Sequence, residues 1–212
     1  MLSDLQHALE IIYGVSSPGR VEDFLMQKAA LLELGAIVRA PEELFVLQQP
    51  EGVEIALYIS DDILASLPRL QLSGALLEGF LPAYSTAAEG VSHFVYLSLQ
   101  AMRDRAVSLL ELEVQAEIDK FATALLYLWR RGERQRSGEL RSRLFDHVGY
   151  RADLDPGERD RYAIANRLAR GYSAFLESKF IADNRLEGLL RELRHAYRLP
   201  STDKFDYLAQ HA

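Results

Sequence analysis

The stretch LLELEVQAEIDKFATALL, residues 109–126, places carboxylates inside an apolar helical stripe, where they could do chemistry. At about 100° per residue, one face of this helix collects six apolar side chains: Val107, Leu110, Val114, Phe121, Leu125 and Leu128. Glu117 falls close to the centre of that face and Glu113 at its edge, whereas Asp119 points the opposite way. A buried carboxylate must be protonated, hydrogen-bonded or paired, so we expect a partner for Glu117.

The preceding segment, AEGVSHFVYLSLQAMRD, offers such a partner. Glu89 and His93 lie four residues apart on one side of a predicted helix. A short connection then makes this helix antiparallel to the next, so His93 can face Glu113 or Glu117. Carboxylates and one imidazole suit a divalent metal. However, these residues do not match the di-iron bundle pattern of two Glu-x-x-His pairs with two further glutamates, and the His-Glu-x-x-His motif of metalloproteases is absent.

Two interpretations of these four residues therefore stay open. The residues favour a buried polar network that fixes helix register, or simply a solvated side of the first helix. The alternative is a His/carboxylate ligand site for a divalent metal or for acid–base chemistry.

A second group of polar residues lies in ERDRYAIANRLARGYSAFLESKF, residues 158–180. The pattern favours a packed helix whose tyrosine and arginine ends reach water. In the alternative, Tyr162, Asn166 and Arg170 form a polar pocket that binds an anionic ligand. Arg161 is another candidate partner for Glu117 if the two helices touch.

Basic residues concentrate in RRGERQRSGELRSR, residues 130–143, and on the outer face of the C-terminal helix. For 130–143 we favour a solvated helix junction over a nucleic-acid or phospho-ligand contact. The net charge of −7 argues against general polyanion binding. For the C-terminal helix, docking within the chain is favoured, followed by a homodimer contact and then a membrane surface.

Composition restricts the class of protein. The chain has no cysteine, which excludes disulfides and thiolate metal sites. No apolar run approaches the roughly 18 residues of a membrane span, and the first 14 residues resemble a structural helix more than a signal peptide. We therefore expect a cytoplasmic protein without a transmembrane segment.

The expected fold is α+β and predominantly α, with a small N-terminal antiparallel sheet of two or three strands. The strands come from AIVRAP, ELFVLQQ and VEIALYIS, with a turn at QPEG, and a helix over 20–34 precedes them. We expect one compact domain, 1–212. Residues 1–68 form a helix pair plus the sheet, residues 69–212 form a helical part, and 149–157 is a potential hinge.

No nucleophile motif of the G-x-S-x-G type and no phosphate-binding glycine loop occurs. The sequence therefore favours a non-catalytic protein-interaction or scaffold protein that binds a protein partner or forms a homodimer. The alternatives are an enzyme or small-ligand binder using the His/carboxylate group, and a phospho-ligand or nucleic-acid contact through 130–143.

Overall fold

The computed structural model describes residues 1–49 and 52–212. It is mostly helical, with one two-stranded antiparallel sheet among these residues, which confirms the α+β, predominantly α, prediction. The elements, in chain order, are α1 (Leu2–Tyr13), α2 (Lys28–Glu33), β1 (Glu42–Gln49), β2 (Gly52–Ile59), α3 (Asp61–Ser73), α4 (Leu81–Ala101), α5 (Leu109–Arg130), α6 (Ser137–Phe145), α7 (Pro156–Leu176), α8 (Leu186–Arg198) and α9 (Ser201–Ala209).

The chain folds into two compact units. The first unit comprises 1–10 and 16–106, and the second comprises 11–15 and 107–212. The segment 149–157 lies inside the second unit. The single-domain organisation and the hinge stay predictions.

The first unit is built on α4 and the β-hairpin. β1 and β2 pair antiparallel from Glu42 opposite Ile59 to Gln49 opposite Gly52. The base of the hairpin packs on α4 at Gly90, where an added Cβ would lie 2.8 Å from Cγ of Glu42. The close approach of strand and helix therefore requires glycine. The predicted turn at Pro50 and Glu51 lies outside the described residues.

Two predicted elements in this unit are wrong. The helix over 20–34 is interrupted, because Leu25 bridges Leu57 of β2 and the amide of Met26 donates to the Leu57 carbonyl at 2.9 Å. This pairing holds the chain extended between a 3₁₀ turn at 21–24 and α2. The segment AIVRAP forms no strand, and its Ile37 is 67% exposed.

α3 contains Pro68 and continues to Ser73. Gly74, with φ +69°, ends α3 in the left-handed conformation that glycine tolerates. A kinked turn over Leu76–Phe80 leads into α4.

The second unit is organised around α5, which packs along α7 and is buried over most of its length. Val114, Phe121 and Leu125 of the predicted stripe are fully buried. A capping box between Asp155 and Glu158 starts α7. Among the described residues, no helix combines the length and apolar character that crossing a bilayer requires.

Candidate functional site

Glu117 is paired within its own helix. Lys120 Nζ donates to Glu117 Oε1 at 2.8 Å, one turn along α5, and the Glu117 side chain retains 16% exposure. The carboxylate therefore has a charged partner and is partly exposed to solvent. This pairing explains how an acid is accommodated in the stripe.

Glu113 and Arg161 form an ion pair between α5 and α7. Arg161 Nε lies 3.7 Å from Glu113 Oε1. The expectation that Arg161 pairs with Glu117 is wrong by one turn of α5, because α7 places the guanidinium beside Glu113. The same guanidinium lies over the ring of Tyr162 at 5.4 Å.

In the first unit, His93 of α4 faces Glu42 at the start of β1. His93 Nδ1 and Glu42 Oε1 are 3.4 Å apart, and both residues are buried. A carboxylate oxygen of Glu89 lies within 4.8 Å of a ring nitrogen of His93. Sequence reasoning missed Glu42, because it lies on a strand 51 residues away. The four residues predicted together divide between the units, with Glu89 and His93 in the first and Glu113 and Glu117 in the second, and their joint site stays a prediction.

A buried polar cluster in the second unit was also missed. The Tyr13 hydroxyl donates to Asp119, and Gln115 Nε2 donates to Asp119 at 2.8 Å. Lys204 Nζ of α9 donates to Gln115 Oε1 at 3.0 Å. Asp119, predicted to point away from the core, is 2% exposed, because α9 and the last turn of α1 cover that side of α5. The cluster therefore joins three helices.

Burial raises the proton affinity of Tyr13 in this cluster. Desolvation is the largest cause that raises the pKa of Tyr13 well above its usual value, and the adjacent Asp119 carboxylate adds to it. The Tyr13 ring also stacks on Tyr197 with centroids 3.9 Å apart. The tyrosine therefore stays protonated as the donor to Asp119.

Asn166 and Arg170 line a groove of about 510 Å³ between α6 and α7. The predicted Tyr162 is not among the residues that line it. Arg141, from the basic segment 130–143, and Arg167 complete its cationic side. Arg170 Nε donates to Asp146 at 2.7 Å, and Asn166 Nδ2 donates to the Phe145 carbonyl at 3.2 Å. Hydrogen bonds, first from Ser142 and then from Arg170, lower the pKa of Asp146, so this carboxyl is ionised at neutral pH.

The other arginines of 130–143 are mostly paired locally. Arg136 contacts Glu133 and Glu139, and Arg143 also contacts Glu139. These pairs match the favoured interpretation of a solvated helix junction.

The outer edge of β1 is a further candidate surface. Because the Leu57 carbonyl accepts from Met26, Leu57 and its partner Leu44 form a pair that is not hydrogen-bonded across the hairpin. Hydrogen-bonded and non-hydrogen-bonded pairs alternate along an antiparallel hairpin. The backbone N–H and C=O groups of Leu44, Val46 and Gln48 therefore point away from β2, toward the outer edge of β1. Within 1–49 and 52–212, no backbone hydrogen bond from outside the hairpin reaches these three positions.

Comparisons of this chain with protein-family models, with curated proteins and with solved structures gave no match.

Proposed function

We propose that this chain is a non-catalytic protein-interaction protein of the cytoplasm, which assembles by adding a strand to the outer edge of β1. The observation that carries the proposal is that this edge combines open backbone groups with exposed apolar side chains. Strand addition is an established mode of recognition, in which main-chain hydrogen bonds supply affinity and alternate side chains supply specificity.

The exposure is concentrated in the half of the hairpin furthest from α4. Val46, Leu47 and Val53 are 49%, 57% and 41% exposed. Val46 and Val53 share the face that, at the base of the hairpin, carries the buried Leu57. A two-stranded hairpin is marginally stable in water without further packing. A strand or sheet added at Val46 would supply that packing.

β1 also lacks the features that usually protect an edge strand. Its sequence, EELFVLQQ, contains no lysine, no proline and no glycine. Its two charged residues, Glu42 and Glu43, stand together at one end. The apolar centre is therefore accessible to a partner strand.

The occupant that these charges fit is a second copy of the chain. When two β1 strands pair antiparallel about Val46, Glu43 of one copy lies opposite Gln49 of the other, so no carboxylates face each other. Leu44 then lies opposite Gln48, and the two Val46 residues exchange backbone hydrogen bonds. The product is a four-stranded antiparallel sheet with an isologous, two-fold interface.

Sedimentation velocity tests this assembly. One copy has a mass of 24.0 kDa, so we expect a dimer of 2 × 24.0 kDa, or 48.0 kDa. Val46→Pro removes an outward amide that the hairpin does not use, so it should give a folded monomer. Leu72→Lys is the matched control, because Leu72 is exposed on α3 of the same unit and away from β1. This variant should still dimerise.

A photo-reactive amino acid at position 46 distinguishes the partner inside cells. Cross-linking to a second copy supports the proposal. Cross-linking to a different protein would keep the interaction function and overturn the choice of a second copy. The same amino acid at position 72, on the exposed side of α3, is the control. If position 46 gives no cross-linked product, or the same products as position 72, the edge is not a binding surface.

A second candidate function is favoured by Glu89 and His93, whose ligand atoms lie within 4.8 Å of each other. A carboxylate and an imidazole are ligand types of a divalent transition metal such as zinc. Elemental analysis of the purified protein tests this site. Bound metal that is lost in His93→Gln and kept in His7→Gln, whose histidine is exposed in the same unit, would support it. Equal metal content in the two variants, or no metal in the unaltered protein, would eliminate it.

A further inference from the structure

The groove between α6 and α7 has the dimensions and lining of a small-ligand site. Its volume of about 510 Å³ lies within the usual range of roughly 300–1,000 Å³ for such sites. Its lining combines apolar or small residues, Phe145, Gly171, Ala174 and Ala212, with the polar residues Arg141, Asp146, Asn166, Arg167 and Arg170. It can therefore take a ligand with an apolar part and an anionic end.

Guanidinium groups are concentrated at the groove. Those of Arg141, Arg167 and Arg170 stand against the carboxylates of Asp146, which lines the groove, and of Glu177, which pairs with Arg141, and Ala212 at the carboxyl end of the chain also lines the groove. With the Ala212 carboxylate counted, these charges balance as 3 − 3 = 0, whereas the whole chain has a formal net charge of −7. An anion that approaches this protein is therefore repelled less at the groove than at an average part of its surface.

The carboxylates orient two of the arginines without using up their donors. Arg141 and Arg170 each bind a carboxylate, Glu177 and Asp146 respectively, through Nε. A guanidinium has five N–H donors, so the Nη groups of both arginines stay available. Guanidinium groups held in place in this way lose less conformational entropy when they bind a ligand.

Arg167 is the cation that a ligand can pair with most directly. It is exposed on α7, one turn before Arg170, and it forms no ion pair within 1–49 and 52–212. Residues three apart on a helix share a face, so the two α7 guanidinium groups point into the same space. Arg141 reaches that space from α6.

We propose that this groove binds the phosphate group of a small organic phosphate, with the organic part against Phe145 and Ala174. Three guanidinium groups from two helices match the several oxygens of a tetrahedral phosphate, whereas a carboxylate needs a single fork. The site is independent of the β1 edge.

Isothermal titration calorimetry with phenyl phosphate, inorganic phosphate and benzoate tests the proposal. Phenyl phosphate should bind more tightly than inorganic phosphate, because its ring packs against the apolar part of the lining, and more tightly than benzoate. Absence of saturable phenyl phosphate binding would overturn the site. Benzoate binding as tightly as phenyl phosphate would overturn the assignment to phosphate.

Two arginine variants of α7 make the result specific. Arg167→Gln should weaken phenyl phosphate binding about tenfold, the effect of losing one charged hydrogen bond. Arg159→Gln makes the same change of charge eight residues earlier, roughly 12 Å along the helix and beyond the screening length at physiological salt. It should change binding by less than about twofold. Equal weakening by both variants would show a general charge effect and no site.

Asp146→Asn provides a change of opposite sign. The asparagine oxygen can still accept from Arg170 Nε and keep that side chain oriented, while the loss of the carboxylate adds one unit of positive charge to the groove. We expect phenyl phosphate to bind several-fold more tightly to this variant. Unchanged or weaker binding, with the helical circular dichroism preserved, would contradict the proposed position of the ligand.

Discussion

Replacing Tyr13 with phenylalanine tests the buried cluster of the second unit. The Tyr13 hydroxyl donates to Asp119 and accepts from Gln115 Nε2 at 3.1 Å, and the residue is 1% exposed. A hydrogen bond to a charged group contributes about 1.5–3 kcal/mol. We therefore expect Tyr13→Phe to lower the free energy of unfolding by about 2.5 kcal/mol. For a chain of this length, the midpoint of thermal unfolding should fall by roughly 5–10 °C.

Urea unfolding followed by circular dichroism measures this loss. The denaturant midpoint should fall while the slope stays unchanged, because the surface exposed on unfolding is nearly the same. Tyr58→Phe, at a half-buried tyrosine of the hairpin, is the matched control and should change stability by less than about 0.5 kcal/mol. A Tyr13→Phe effect as small as that of the control would refute the energetic role of the hydroxyl.

The same residue gives a pH dependence with a defined sign. The pKa of Tyr13 is raised in the folded protein above its usual value of 10.0, mainly by desolvation. Its contribution to stability is therefore complete below pH 10.0 and is lost as the pH rises from there toward the raised folded pKa. The stability of Tyr13→Phe should consequently decline less steeply above about pH 10 than that of the unaltered protein. Parallel declines would contradict the assignment.

Three further predictions concern the core and the other tyrosines. Phe121→Ala should destabilise the protein by about 3–5 kcal/mol in urea unfolding, because Phe121 is fully buried and its removal leaves a cavity; a loss below about 1 kcal/mol would show that this part of the core is misplaced. Gly90→Ala should destabilise in thermal unfolding, although alanine favours helices, since its Cβ would lie 2.8 Å from Cγ of Glu42; a raised midpoint would contradict the tight contact. Tyr172 and Tyr207 have raised pKa values because of burial and the nearby Glu192, so spectrophotometric titration should show both ionising well above the usual value of 10.0; normal titration of both would contradict their environment.

The periodicity of the sequence was sufficient to predict most elements of the fold. Long amphipathic patterns predicted α5 and α7, and alternating residues predicted β1 and β2, because these patterns follow from the burial of one face. The prediction of a continuous helix over 20–34 was wrong because of a contact with a segment distant in the sequence. Pairing of Leu25 and Met26 with Leu57 of β2 overrides local helical preference, and the two partners are far apart in the sequence.

The polar sites were harder to predict, because their partners come from distant segments. Projection of α5 alone identified Glu117 as the buried acid and placed Asp119 outside. The packing of α9 and the last turn of α1 on that side buries Asp119, whereas Glu117 pairs with Lys120. Asn166 and Arg170 both line the groove, since residues four apart share a helix face, and their role in ligand binding stays a prediction. Arg141 joins them through tertiary packing that no local pattern contains.

Amide hydrogen exchange resolved by residue tests the proposed assembly through β1 most directly. At concentrations where the dimer forms, the outward amides of Leu44 and Gln48 should exchange as slowly as the inward amides of Phe45 and Leu47. In Val46→Pro, the outward amides should exchange rapidly while the inward amides stay protected. Rapid exchange of the outward amides in the unaltered protein at every concentration would contradict strand pairing along this edge.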